Sequence, residues 1–143
     1  MSSKASIILC TYNEANHIEN AISELEKNIP DLEIVIVDDS SSDGTIEIIE
    51  RLNKNNKYKV IFRKKSRNLA SAFVRGLTET TGANIGWIDT NMGELASKFP
   101  EMSNELKSDN DLILMSRYVK GGGDNRIFVR TFCSKYFNIL CRI

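Results

Sequence analysis

Four short runs hold the side chains that could do chemistry. In Thr11-Tyr12-Asn13-Glu14, Tyr12 offers a ring face to a nucleobase and Glu14 an acceptor to a ribose or base edge. A helix opening beside them would favour phosphate; the plainer alternative is an ordinary helix cap. In Asp38-Asp39-Ser40-Ser41-Ser42-Asp43-Gly44-Thr45, two adjacent carboxylates follow an apolar run, where burial is costly without a role. Asp39 could bind a base or a ribose. Asp43 reads as a helix cap, with Gly44 allowing the turn. Asp38 stands open between a structural and a binding role. Asp89, in Ile88-Asp89-Thr90-Asn91, can hold a divalent cation that neutralises a diphosphate; an exposed turn carboxylate is the alternative. Arg117 and Lys120, in Ser116-Arg117-Tyr118-Val119-Lys120, are followed by three glycines and then by Arg126 and Arg130. Cations around a Gly loop suit a phosphate, with Arg giving bidentate contacts; a solvated basic face would look the same.

These runs gain meaning from the elements that must carry them. Ile7 to Cys10 predicts a strand, and Asn13 a cap for a helix with Ile18, Ala21, Ile22 and Leu25 on one face. Residues 33–37 predict a strand apolar on both faces. A helix with Ile46, Ile49 and Leu52 inward follows, then a strand over 59–62 and a helix over 70–80 ended by Gly82. A strand over 85–88, with Trp87 in the core, precedes a helix with Pro100 in its first turn. A fifth strand is expected over 111–115, and helical periodicity resumes from about Arg126. Alternating strands and helices predict an α/β domain with a mostly parallel sheet, helices on both faces and right-handed crossovers. Ligands on such sheets bind beyond the carboxyl ends of the strands, where all four runs begin. The whole chain, 1–143, reads as one domain.

Composition narrows the classes. Lys plus Arg and Asp plus Glu both count 19 in 143 residues, so no global basic field recruits nucleic acid. Cys10, Cys133 and Cys141 form no CxxC pair and are expected to be reduced, buried thiols of a cytoplasmic protein. No stretch approaches the roughly 20 apolar residues of a spanning helix. The Gly-rich turn of a dinucleotide fold is missing after Cys10. His17 has no metal-ligand spacing and reads as a surface residue. The C-terminal periodicity of Phe128, Val129, Phe132, Tyr136, Phe137 and Leu140, with Arg126, Arg130, Lys135 and Arg142, fits a core-packed helix or a basic amphipathic one at a membrane surface.

In order and spacing, the runs resemble the family 2 nucleotide-sugar glycosyltransferases of GT-A fold, and within them the dolichyl-phosphate mannosyltransferase and polyprenyl-phosphate glycosyltransferase group. Cys10-Thr11-Tyr12-Asn13-Glu14 is similar to that group's P-T-Y-N-E, and residues 37–45 match V-D-D-x-S-x-D-G-T throughout. Asn68-Leu69-Ala70-Ser71-Ala72 with Arg75-Gly76 partly keeps a Gly-rich helix opening. Residues 115–122 are similar to G-S-R-Y-x-x-G-G, and Arg130, Ser134 and Asn138 to R-x-x-x-S-x-x-x-N. The resemblance implies inverting transfer of a mannose-like hexose from GDP-mannose or a UDP-sugar to a polyprenyl phosphate, at or near a membrane surface. It implies Thr11, Tyr12, Glu14 and Asp39 on the nucleotide. Asp89 with Asn91 would hold Mg²⁺ or Mn²⁺. Arg117, Lys120 and Arg130 would hold the acceptor phosphate, with Asp89 and Arg117 as the catalytic pair. Two departures qualify it. The family's D-A-D-x-Q/S is here Asp89-Thr90-Asn91-Met92-Gly93, in which Asn91 brings no charge and Gly93 no side chain; Glu94 could substitute, one residue out of register. The chain also stops at Ile143, before the family's acceptor-side segment, as a fragment or a short natural form would. A non-catalytic member that binds nucleotide or a partner, and a transferase with a sugar acceptor, are the competing expectations.

Overall fold

The computed structural model describes residues 4–64, 68–106 and 110–116. The chain divides into two compact units, 1–109 and 110–143, where the sequence reads as one domain.

The first unit runs β1 (Ala5–Thr11), α1 (Ile18–Asn28), β2 (Leu32–Asp38), α2 (Thr45–Leu52), β3 (Lys59–Phe62), α3 (Leu69–Leu77) and β4 (Asn84–Trp87). A 3₁₀ segment, Thr90–Lys98, kinks at Met92 and leads into α4 (Phe99–Leu106), with Pro100 in its first turn. The four strands form one parallel sheet in the order β3-β2-β1-β4. Alternate residues of the central strands serve opposite faces. Ile7, Leu9, Ile34 and Ile36 pack with Ile18, Ile22, Leu25 and Ile49 on one side. Ile8, Val35 and Val37 pack with Ala72 on the other. Each fully buried Ile, Leu or Val contributes about 1.5–3 kcal/mol, so the two clusters fix β1 and β2 as the rigid centre. The chain steps outward from β1 through β2 to β3, then α3 carries it back across to the far side of β1. The strand order reverses between β1 and β4, which remain parallel, and ligands of open α/β sheets bind at such a point.

Several expectations change. Asn13 does not cap α1: it lies before the first helical turn, at φ 57°, and its Oδ1 accepts from the Ser42 N–H at 2.9 Å. The Glu14 carbonyl opens the turn instead, accepting from the His17 and Ile18 N–H groups. In α2, Ile48 and Leu52 join Ile49 against the core, whereas Ile46 does not. Helix α3 ends at Leu77, short of the expected 80. Trp87 is 41% exposed rather than core, because among the described residues β4 is a sheet edge of four residues; its ring meets that of Phe73 edge-on at 6.3 Å. In the second unit, residues 110–116 form no strand, and Leu112 and Leu114 are exposed. A β-forming run becomes a strand only where another edge accepts its hydrogen bonds. The expected C-terminal helix, with Cys133 and Cys141, lies outside the described residues.

Candidate active site

A cleft of about 300 Å³ opens at the carboxyl ends of β1, β2 and β4, lined by Cys10, Thr11, Tyr12, Glu14, Asp39, Asn68, Leu69, Ala72 and Asp89. The runs after β1, β2 and β4 therefore converge on one space, with α3 closing it.

The run after β2 is spent mainly on construction. Asp38 is fully buried and accepts from the Thr11 hydroxyl at 2.9 Å, the Ser41 N–H at 2.9 Å and the Ser41 hydroxyl at 2.5 Å. Of its two possible roles, the structural one is realised. Asp43 is not the cap of α2, a position Gly44 holds; from the residue before it, Asp43 accepts from the Thr45 N–H and hydroxyl and reaches across to the Ala15 N–H at 3.0 Å. The Thr45 hydrogen bond is the main reason its carboxyl titrates below the ordinary value. Gly44 supplies the turn with φ 101°, a region that disfavours side chains. The Asn13 N–H donates to the Ser41 hydroxyl and the Glu14 N–H to the Thr45 hydroxyl. The amides of Asn13, Glu14 and Ala15 are thus committed to the β2 loop. The phosphate-favouring role expected at the opening of α1 is closed at those positions.

Asp39 has a different kind of partner. Arg63, immediately after β3, donates from Nε to Oδ1 at 2.5 Å and from Nη2 to Oδ2 at 2.7 Å, and the Asn68 N–H reaches Oδ2 at 3.2 Å. Both side chains of the pair are nearly buried. The hydrogen bond to Asp39 raises the Arg63 pKa, so the guanidinium stays charged. The polar motifs mark four expected strand ends; the end of β3 carries only Arg63 before an unremarkable basic run. Its position directly after a strand was the signal that could have found it.

Glu14 and Asp89 are the open carboxylates. Among the described residues, neither side chain makes a hydrogen bond or an ion pair. Asp89 precedes the 3₁₀ segment without capping it through its side chain. Tyr12 presents its ring at the mouth, 42% exposed. Cys10, expected to be buried, is half-exposed on the cleft floor. Desolvation and then the Asp39 charge push its thiol up to about 11, so it is neutral at pH 7.

Asn91 is exposed and does not line the cleft, and neither does Glu94. Gly93 is buried against α1: a Cβ there would stand 2.8 Å from the Ala21 Cα. The glycine lets the 3₁₀ segment lie on the helix backbone. No group of three or more His, Cys, Asp or Glu gathers among the described residues. Among the described residues, the cleft carboxylates open to a hard cation are Glu14 and Asp89, and Asp89 stands at the position expected of a metal ligand. That fits an ion completed by water and substrate phosphates, which Mg²⁺ accepts with one or two protein carboxylates. Arg117, Lys120 and Arg130 lie outside the described residues.

A parallel α/β sheet with a cleft at its switch point, and no Gly-rich dinucleotide turn, agrees with the GT-A fold that the motifs imply. The glycosyl transferase family 2 pattern matches residues 6–141, and the chain belongs to that family. It is 36% identical over 135 residues to a dolichol-phosphate mannosyltransferase of Pyrococcus furiosus, covering 92% of this chain and 38% of that protein. It is 28% identical over 116 residues to a cholesterol galactosyltransferase of Borreliella burgdorferi, covering 80% and 32%. A mannosyltransferase of Pyrobaculum calidifontis, solved with GDP-Man and Mn²⁺, superposes with TM-score 0.58 at 27% identity, over 64% of this chain and 28% of that one. The chain spans less than two-fifths of the length of these relatives.

Proposed function

We propose that the cleft binds a nucleoside diphosphate sugar, GDP-mannose or a UDP-sugar, and that the protein transfers the hexose with inversion to a polyprenyl phosphate. The observation that carries this is the Asp89 carboxylate, without a hydrogen-bond or ion-pair partner among the described residues, in the same cleft as Tyr12, Glu14 and Asp39. Tyr12 would stack on the base, Asp39 accept from its edge and Glu14 accept from the ribose. Thr11 would act indirectly, since its hydroxyl is held by Asp38. Asp89 would hold Mg²⁺ or Mn²⁺, which supplies charge neutralisation at the leaving diphosphate. The similarity to mannosyltransferases solved or named above supports the donor class, and the 115–122 motif supports the acceptor.

The chemistry asks little of a general base. A phosphate monoester with a second pKa near ~6 is largely ionised at neutral pH. Its oxygen forms the new bond to the anomeric carbon while the bond to the nucleoside diphosphate breaks. Arg117, Lys120 and Arg130 would hold that phosphate in line. The protein's part is positioning and charge compensation. Among the described residues no helix is long and apolar enough to cross a membrane.

The exposed position of Asn91 favours a second reading, a member that binds nucleotide with impaired turnover. Incubation with Mn²⁺, nucleoside diphosphate hexoses and a short prenyl phosphate separates the two. Sugar transfer supports the first; nucleotide binding without transfer supports the second. Neither binding nor transfer overturns both.

A further inference from the structure

Arg63 belongs to none of the motifs that define the cleft and does not line it, yet it controls one wall. Its guanidinium ties together the end of β2, the end of β3 and the opening of α3. The Arg63 N–H donates to the Asp38 carbonyl at 2.8 Å. Nε and Nη2 grip the two oxygens of Asp39. Nη1 donates to the Ser71 hydroxyl at 2.9 Å and Nη2 also to the Asn68 carbonyl at 3.1 Å. Asn68 in turn caps α3 by accepting from the Ser71 N–H.

We propose that Arg63 is a positioning residue that presents Asp39 to the nucleobase in one orientation and with one acceptor position left. This rests on the nucleotide-binding reading of the cleft. An ionised carboxylate has roughly four lone-pair sites and no donor. Arg63 Nε takes one on Oδ1, while Arg63 Nη2 and the Asn68 N–H take both on Oδ2. The remaining site, on Oδ1, accepts an N–H and repels a ring nitrogen lone pair. Bases with a ring N–H at the pairing edge, uracil and guanine, satisfy it. Cytosine and adenine bring an unprotonated ring nitrogen to the same edge. The planar Arg fork matters because it removes the rotation that a single-point cation would leave.

The test is calorimetric titration of the chain, with Mn²⁺, by UDP, GDP, CDP and ADP. The wild-type chain should bind UDP or GDP at least about tenfold tighter than CDP and ADP, the ratio one unpaired polar contact commands. Arg63→Gln should lose most of that ratio, and Arg63→Lys, which keeps charge without the fork, should recover only part. Ser71 is exposed and outside the cleft. Ser71→Ala loosens the fork from behind and should reduce the ratio by about twofold, from one neutral hydrogen bond. It decides the matter if Arg63→Gln fails to fold. An Arg63→Gln chain that is folded and still selective, or an unchanged ratio in Ser71→Ala, overturns the role of Arg63. Equal binding of all four nucleotides by the wild type overturns base reading by Asp39 and leaves nucleotide binding standing. Binding of none removes the reading of the cleft and this inference with it.

Discussion

Two strand ends carry aspartates and use them in opposite ways. After β2, Asp38 is fully buried and accepts from three donors of Thr11 and Ser41. After β4, Asp89 stands half-buried in the cleft with no partner among the described residues. The first holds two loops in place; the second is left available. A carboxylate whose hydrogen bonds are filled from within the fold costs stability to remove, whereas an unfilled one beside a cleft costs function. On the proposed reading, the longer and more distinctive motif is chiefly the scaffold, and the shorter one would be the working end.

Breaking the scaffold should give the largest loss of stability. Asp38→Ala removes the acceptor of the Ser41 N–H and hydroxyl and the nearer acceptor of the Thr11 hydroxyl, and should destabilise by roughly 3 kcal/mol. Denaturant unfolding measures it; a loss below about 1 kcal/mol would place Asp38 outside the scaffold. Gly93→Ala tests the link between the working end and α1. Its Cβ would meet the Ala21 backbone at 2.8 Å, so a cost of roughly 2 kcal/mol is expected, with weaker nucleotide binding as the 3₁₀ segment shifts.

A third buried carboxylate sharpens the comparison from the opposite end of the sheet. Burial alone would raise the Glu33 carboxyl, but hydrogen bonds from Ser6, Thr81 and Lys59 outweigh it and hold it well below the usual range. The folded pKa lies below the unfolded one. Its contribution is therefore complete above the unfolded value, about 4.3, and is lost as pH falls through the folded value. Glu33→Gln should cost about 1 kcal/mol at pH 7, and the gap to wild type should narrow on acidification. Urea midpoints across pH 2–7 check the sign; a gap that widens in acid contradicts it. The smallest effect on stability belongs to Asn91→Asp, within about 0.5 kcal/mol for an exposed site. Mn²⁺ titration with the nucleoside diphosphate present shows whether a second carboxylate at that position tightens the metal.

The sheet was legible because β1 and β2 are runs of Ile, Val and Leu that only a sheet covered on both faces can bury. The helix faces were legible from their spacing, apart from Ile46, in whose place Ile48, two positions on, packs beside Ile49. Trp87 was misread because a β-rich run does not say whether its strand is central or at an edge. The 111–115 run was misread because strand formation depends on a partner that local sequence does not contain. In the site, the motifs named the positions that surround the cleft but not how their hydrogen bonds are spent. Thr11, Ser41, Asp43 and Thr45 face one another across two loops, a relation of residues about 30 apart in sequence that only the fold reveals. Arg63 was missed for the same reason: its meaning comes from Asp39, 24 residues away.

The most direct measurement is calorimetric binding of GDP-mannose and a UDP-hexose, with and without Mn²⁺, to the wild type and to Asp89→Ala. The account predicts binding that the metal strengthens in the wild type and does not strengthen in the variant, at unchanged unfolding midpoint. Metal-strengthened binding that survives Asp89→Ala would contradict it.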